Sequence, residues 1–243
     1  MALSKRYVDD LFKQIYKGKI GPKNLPQPLY MFVVEELQNN IEPEFIATGS
    51  ELSEAMQINL NLFASAKVFQ QIRETISIIP GDNGKIPFKE FEKKAQAIHD
   101  RYNGAWLKTE ETTVTLQSQN CMQWQTFESN KENLKYLQYQ TSDDDRVSDL
   151  CKPLDNVIRR VDDPFWNNHS PMRHYRCRCY LIQIKNGVET PDSLIDKMPE
   201  PNAVFKNNIG KTGIVFDKSH PYFDIPKQYI ELAKKNFNLP IVK

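Results

Sequence analysis

The sequence predicts an α+β fold, with a mainly helical N-terminal part followed by a small mixed α/β motif domain of short strands and long loops. Three observations predict it. Apolar residues recur at intervals of three and four as far as Thr112, the period of a helix with one buried face. From Leu134 that period is lost, and short alternating or apolar stretches are set between turn residues, as strands are. Near the end, Pro191, Pro199 and Pro201 break up a long connector.

The first helix covers residues 4–17, where Tyr7, Val8, Leu11, Phe12, Ile15 and Tyr16 make one stripe. Pro22, Pro26 and Pro28 interrupt the chain after it. A second helix covers Leu29–Asn40 and ends before Pro43, since a proline disfavours helical backbone in the residue before it. A third, long helix runs from about Glu51 to Ile79 on Leu52, Ala55, Leu62, Ala66, Phe69, Ile72, Ile76 and Ile79. Pro80-Gly81-Asp82-Asn83-Gly84 is a turn cluster that stops it, and Pro87 sits where a first-turn proline is tolerated. Phe88, Phe91, Ala95 and Ile98 mark a fourth helix, which continues or restarts through Tyr102 and Trp106 into Thr112. Gly84, Ile86 and Glu90 imitate the end of an EF-hand loop. Its first and third positions would be Ile79 and Gly81, which carry no carboxylate for Ca²⁺, so a plain helix–turn–helix connection is the reading adopted.

In the second half, Leu137, Tyr139 and Thr141 alternate with polar residues as a strand does. Ser142–Asp145 is an acidic turn, Lys152–Asn156 a turn around Pro153, and Asp162–Trp166 a turn ending in two aromatics. Cys177, Cys179 and the apolar run Tyr180–Ile184 suggest a further strand. Residues 186–203 read as an extended connector, Asn207–Gly213 as a loop, Ile214–Phe216 as a short strand and Gln228–Phe237 as the last helix.

Composition excludes several classes. The 243 residues are 40% hydrophobic and 11% aromatic, enough for a core and unlike a chain disordered throughout. No apolar run nears the roughly 20 residues that span a bilayer. No apolar stretch follows Lys5-Arg6 as an export signal requires. A formal charge of +1 signals no strongly basic protein in bulk, although local patches remain. Four cysteines in a chain with no export signal argue against a disulfide scaffold and leave core packing, metal binding or catalysis. Neither G-x-G-x-x-G nor G-x-x-x-x-G-K occurs, so no phosphate-cradling loop is expected.

A set of motifs then stands in order: Asn61–Lys67 (NLFASAK), Tyr102–Glu110 (YNGAWLKTE), Leu137–Val147 (LQYQTSDDDRV), Asp162–Trp166 (DDPFW) and Cys177-Arg178-Cys179. Together they resemble the phage Mu F-like family, the minor head (head morphogenesis) proteins of tailed phages and prophages. Tyr139, Thr141, Asp144, Arg146 and Val147 fall on the fixed positions of the family's aromatic-x-Thr-x-x-Asp-x-Arg-Val signature, and the tail Phe205–Phe223 is similar to the family's ending. The resemblance covers roughly residues 50–185 as the head morphogenesis domain, with 1–49 read as N-terminal helices and 186–243 as a Pro-containing connector and C-terminal tail with a short helix. It also implies a virion protein of few copies, in the host cytoplasm during assembly. It would sit at the portal vertex and assist head assembly and DNA packaging or delivery. Portal protein and/or major capsid protein would be its partners, with packaged double-stranded DNA as a further candidate and no membrane. No catalytic chemistry follows. The chain departs from the family in three places. Cys151 stands where the family has histidine or cysteine, and Asn156 where it has glycine. Pro171-Met172-Arg173-His174-Tyr175 replaces Pro-Pro-Asn-Gly-Trp, so no glycine serves a turn there.

Two clusters carry possible chemistry. In a strand, Cys177 and Cys179 would share one face, with Cys151 upstream and His169 and His174 nearby in sequence. Zinc takes four N or S ligands, and Cys151, His174, Cys177 and Cys179 supply a Cys₃His set for a structural ion. The spacing differs from C-x-x-C knuckles, and two other readings stand beside it. One is cysteines as small buried hydrophobes, the reading adopted for Cys121. The other is an enzyme using a Cys/His nucleophilic pair, its thiol activated by nearby arginines. The second cluster is Arg159, Arg160, Arg173, Arg176 and Arg178, supplemented by lysines from Lys5 to Lys23 and from Lys206 to Lys243. It could contact DNA phosphates without reading sequence, which makes a sequence-independent DNA-binding module an alternative function. Asp144, Arg146, Asp163, Phe165 and Trp166 are read as structural. Turn carboxylates accept backbone N–H groups and pair with arginine, and the aromatics anchor a core.

Overall fold

The computed structural model describes residues 3–81 and 84–239. Asp82 and Asn83 of the expected turn cluster, and Lys243 of the basic tail, lie outside the described residues. The chain is 56% helical with a few short antiparallel strands, so the α+β expectation holds. No helix among the described residues is long and apolar enough to cross a membrane. Two compact units are formed, one from residues 1–40, 57–111 and 221–243, the other from 41–56 and 112–220.

The first unit is helical. Helix α1 (Lys5–Tyr16) starts where the Ser4 hydroxyl accepts the Tyr7 N–H, satisfying one of the free donors of a helix start. It buries Val8, Leu11, Phe12 and Ile15. Helix α2 (Gln27–Gln38) carries Pro28 in its first turn. The short α3 (Pro43–Ala47) and the first residues of the long α4 (Glu51–Ser77) fall in the second unit. After α4, β1 (Pro80–Gly81) pairs antiparallel with β2 (Gly84–Lys85). Helix α5 (Phe88–Asp100) follows, with Pro87 at its N-cap, then one stretch of π-helix, Arg101–Trp106. Aromatics knit this core: Phe12 meets Phe91 edge-on at 6.5 Å, and Tyr30 stacks on Phe237 of the C-terminal helix at 4.1 Å.

Helix α6 (Leu107–Asn130) corrects one expectation. The fourth helical stretch runs past Thr112 to Asn130. Val114, Cys121, Trp124 and Phe127 are buried along it, but so are Thr113, Gln117 and Ser118. Three of these seven buried residues are polar, and an apolar-period reading therefore does not see the stripe.

The second unit holds a three-stranded antiparallel sheet, β3 (Tyr136–Gln140), β4 (Ile158–Arg160) and β5 (Tyr180–Ile184), in the order β4-β3-β5. Leu137 is paired with Arg159, and Tyr139 with Leu181. Leu137, Tyr139 and Leu181 point inward to Trp124, Phe127, Leu154 and Trp166. Tyr180 and Ile182 alternate to the outer face and are 47% and 38% exposed. Three expectations are corrected here. Thr141 lies just past β3, and β4 was not foreseen, because Ile-Arg-Arg is too short and polar to announce a strand. Cys177 and Cys179 precede β5 rather than belonging to it. Ile214–Phe216 forms no strand: Val215 and Phe216 are buried in a bend, and burial alone makes a short run apolar. The remaining short helices are α7 (Trp166–His169), α8 (Asp192–Ile195) and α9 (Ile209–Thr212); α10 (Lys227–Phe237) belongs to the first unit. Helix α9 ends on Gly213, at φ 67°, where an added Cβ would lie 2.7 Å from the Leu52 carbonyl oxygen. Only glycine meets both demands.

Two departures from the family motif are resolved by the backbone. Asn156 has φ 61°, a left-handed conformation that asparagine tolerates better than most residues, so it can stand where glycine does. A tight turn over His174–Cys177 is present without glycine. It is closed by the Cys177 N–H donating to the His174 carbonyl at 3.2 Å, with Arg176 at φ 60°.

Candidate metal centre

The turn over His174–Cys177 brings its two end residues to a third, Cys151, which opens a 3₁₀ turn over Lys152–Leu154. The donor atoms of Cys151, His174 and Cys177 all lie within 4.8 Å of one another. The sulfurs of Cys151 and Cys177 are 3.8 Å apart. Two thiolates each about 2.3 Å from one tetrahedral zinc would lie about 3.8 Å apart, so the observed spacing suits that ion. The thiols of Cys151 and Cys177 are buried and packed with Met172, Val204 and Phe205. An open groove of about 410 Å³, lined in part by Leu116, Asn120, Met172, Cys179 and Tyr180, reaches Cys177.

His174 is held in one tautomer. Its Nδ1 lies 2.8 Å from the Tyr175 carbonyl oxygen, which can only accept, so Nδ1 carries the proton. Nε2 then keeps its lone pair, here 2.8 Å from the Ser148 hydroxyl. A neutral imidazole whose other nitrogen is hydrogen-bonded to a carbonyl is the form that ligates metals. The Cys177 thiol is favoured in its ionised form. Hydrogen bonds from the Cys151 and Cys179 thiols hold its pKa well below the usual range, helped by the backbone N–H groups of Arg173 and Cys179. The Cys179 thiol, engaged by Cys151 and Cys177, is pushed in the opposite direction. Cys179 stands outside the three-residue group but beside both of its sulfurs. Cys121 is remote from the cluster and buried, with its pKa pushed up to about 12 by burial, as a small hydrophobe would be.

Two neighbours of the cluster escape sequence reasoning. The Tyr139 hydroxyl donates to Cys151 Sγ at 3.9 Å, and Ser148 meets His174 as described. Tyr139 shows as an inward position of an alternating strand and as the aromatic of the signature, neither of which points to the thiols, and Ser148 carries no signal at all.

Three of the five arginines, Arg159, Arg160 and Arg178, are ion-paired. Arg159 reaches Asp163 and Asp192 at 2.8 Å each and the Thr190 carbonyl oxygen. Arg160 pairs with Asp162 at 3.1 Å. Arg178 grips both oxygens of Asp144 at 2.6 and 2.7 Å, and Arg146 adds a longer contact at 3.3 Å. The Arg178 hydrogen bonds hold the Asp144 carboxyl well below the usual carboxylate range. Arg173 is enclosed, at 0% exposure, while Arg176 is exposed on the turn. Asp163 also accepts the Phe165 N–H at 2.7 Å. The Trp166 indole N–H donates to the Arg160 carbonyl at 2.8 Å, and Phe165 stacks on His169 at 4.6 Å.

The sequence profile of the family described as Phage Mu protein F like protein matches residues 71–182. That stretch contains Asp144, Arg146, Asp163, Phe165 and Trp166 together with Cys151, His174, Cys177 and Cys179. It leaves out Asn61–Lys67 and the tail Phe205–Phe223. No curated protein and no solved structure matches the chain.

Proposed function

Since residues 71–182 match the family described as Phage Mu protein F like protein, we propose that the protein is a minor head protein of a tailed phage or prophage. It is a portal-associated structural component of the virion, made in the host cytoplasm, that assists head assembly and DNA packaging or delivery. The family match is the observation that carries this reading. The exposed outer face of β5, with Tyr180 and Ile182, supports a protein partner, portal or major capsid protein, since it offers apolar surface on a regular element. The arginines favour DNA less. Arg173 is enclosed and Arg159, Arg160 and Arg178 are already ion-paired, whereas phosphate contacts need cationic groups free to meet them. An enzymatic reading would need substrate at thiols that are 1% and 2% exposed in Cys151 and Cys177. Quantitative mass spectrometry of purified particles tests the proposal. A few copies per particle, tracking with portal protein, are expected; absence from particles that contain portal and capsid protein would overturn it.

Within this role, Cys151, His174 and Cys177 hold a structural zinc ion. The 3.8 Å sulfur spacing and the single His174 tautomer support this. In such a site zinc supplies a cross-link that stabilises a loop-rich region. Purified protein should carry about one zinc per chain, and Cys177→Ser should lose it along with thermal stability. Elemental analysis showing no zinc in wild-type protein purified without chelator, and none taken up on addition, would sink the assignment.

A further inference from the structure

We propose that the metal centre is a Cys₃His site of net charge −1, with Cys179 as its fourth ligand and the buried Arg173 guanidinium as its counter-charge. The proposal rests on the zinc reading and starts from a separate observation. Arg173 is fully enclosed, yet its partners are neutral. Its Nε donates to the Leu150 carbonyl at 3.2 Å, one terminal nitrogen to His169 Nδ1 at 2.6 Å and the other to the Pro199 carbonyl. Because His169 Nδ1 accepts from a guanidinium, and burial with Arg173 nearby pushes its pKa down to about 4, His169 is neutral. Among the described residues no carboxylate forms an ion pair with Arg173. The acid in its field, Glu200, is engaged with Lys206 at 3.1 Å.

A guanidinium does not give up its proton in proteins, and a buried charge without an opposite charge nearby is strongly unfavourable. The other groups in its field are Tyr139, Cys151 and Cys177, and its own backbone N–H donates to the Cys177 sulfur. Glu200 is shared with Lys206 in an exposed pair, so the thiol cluster is the buried source of negative charge that faces the guanidinium. Zinc with two thiolates and one neutral histidine is electrically neutral and leaves Arg173 uncompensated. A third thiolate makes the centre −1, which balances one guanidinium. A structural zinc takes four ligands. Of the groups that could fill the last position, the Ser148 hydroxyl and water are neutral. Cys179, which stands outside the three-residue group but neighbours both of its sulfurs, supplies the missing charge when its thiolate moves into that position. Arg173 is thus a positioning residue that acts on the metal through its ligands.

Cobalt(II) is the probe. In the cobalt-loaded full chain, the sulfur-to-cobalt charge-transfer absorption reports the number of thiolate ligands. Three are expected in wild type, and Cys179→Ser should lose about one third of that intensity. Arg173→Met should weaken zinc affinity, measured by competition with a chromophoric chelator, by about 10–100-fold, the usual effect of removing a partner of the ligand shell. Arg173→Lys, which keeps the charge, should recover much of the loss. A role in packing alone would lower the stability of metal-free and metal-loaded protein equally and leave affinity unchanged. A two-thiolate spectrum unaffected by Cys179→Ser, or wild-type affinity in a folded Arg173→Met, overturns the proposal. The wild-type thiolate count decides the matter if Arg173→Met does not fold. Failure of wild type to bind either metal removes the zinc reading and this one together, and leaves the minor-head reading to the particle measurement.

Discussion

Lys67→Met is expected to destabilise the protein by about 3–5 kcal/mol. The Lys67 ammonium and Glu110 carboxylate meet at 2.5 Å with side-chain exposures of 0% and 6%. The rings of Tyr102 and Tyr222 lie 5.9 and 5.4 Å from the ammonium, and the Tyr222 hydroxyl also bonds the carboxylate. For both partners burial is the largest influence on ionisation. It pushes Lys67 down and Glu110 up, against their mutual attraction. The pair is therefore held against a large desolvation cost, and removing one member leaves the other buried and uncompensated. The double variant Lys67→Met, Glu110→Leu removes both charges and should return near wild-type stability or exceed it by about 1–4 kcal/mol. Thermal unfolding gives the readout. At roughly 2–4 °C per kcal/mol for a chain of this size, the single variant should melt about 10 °C lower. A single variant that melts with wild type, or a double variant as unstable as the single, would show that this pair is not the buried charge it is taken for.

Trp166→Ala should cost about 3–5 kcal/mol, as large-to-small changes of buried aromatics do. The indole is fully buried against Leu137, Tyr139, Leu154 and Leu181 and packs edge-on with Phe165 at 4.9 Å. Its N–H also satisfies the carbonyl of Arg160, the last residue of β4. Trp166→Phe separates the two contributions. It keeps most of the apolar volume but removes one of that carbonyl's two donors, the Asp163 N–H remaining at 3.1 Å, for about 0.5–1.5 kcal/mol. Denaturant unfolding of the two variants should rank alanine well below phenylalanine. Equal losses would mean that the hydrogen bond, rather than the filling of the core, sets the role of this residue.

How much of this was legible depends on whether the signal is local. Helices α1, α2 and α4 were foreseen within two residues at either end, because each buries an apolar stripe that its own period writes out. Strand β3 was visible from its alternation and β5 as a short apolar run. The second half of α6 was not, since its buried side is shared by Thr113, Gln117 and Ser118. Nor was β4, whose three residues form a strand because β3 offers a partner. The cysteines and His174 could be named as one chemical set from residue type alone. Their convergence, with Tyr139 and Ser148 beside them, depends on a turn and a sheet that no spacing rule encodes.

The sequence by itself determined the helical and strand segments with a clean period, the family resemblance, and the residue types able to bind zinc. Tertiary structure alone decided which charges face each other. Lys67 and Glu110 are 43 positions apart and look like ordinary members of two helices until the fold buries them together. Arg159, Arg160 and Arg178 are ion-paired, and Arg173 is an enclosed charge beside the thiols. The physical reason is that periodicity reports how much of a segment is buried, which is a local property. Desolvation and Coulomb energy depend on what lies opposite, and only packing brings that partner into place.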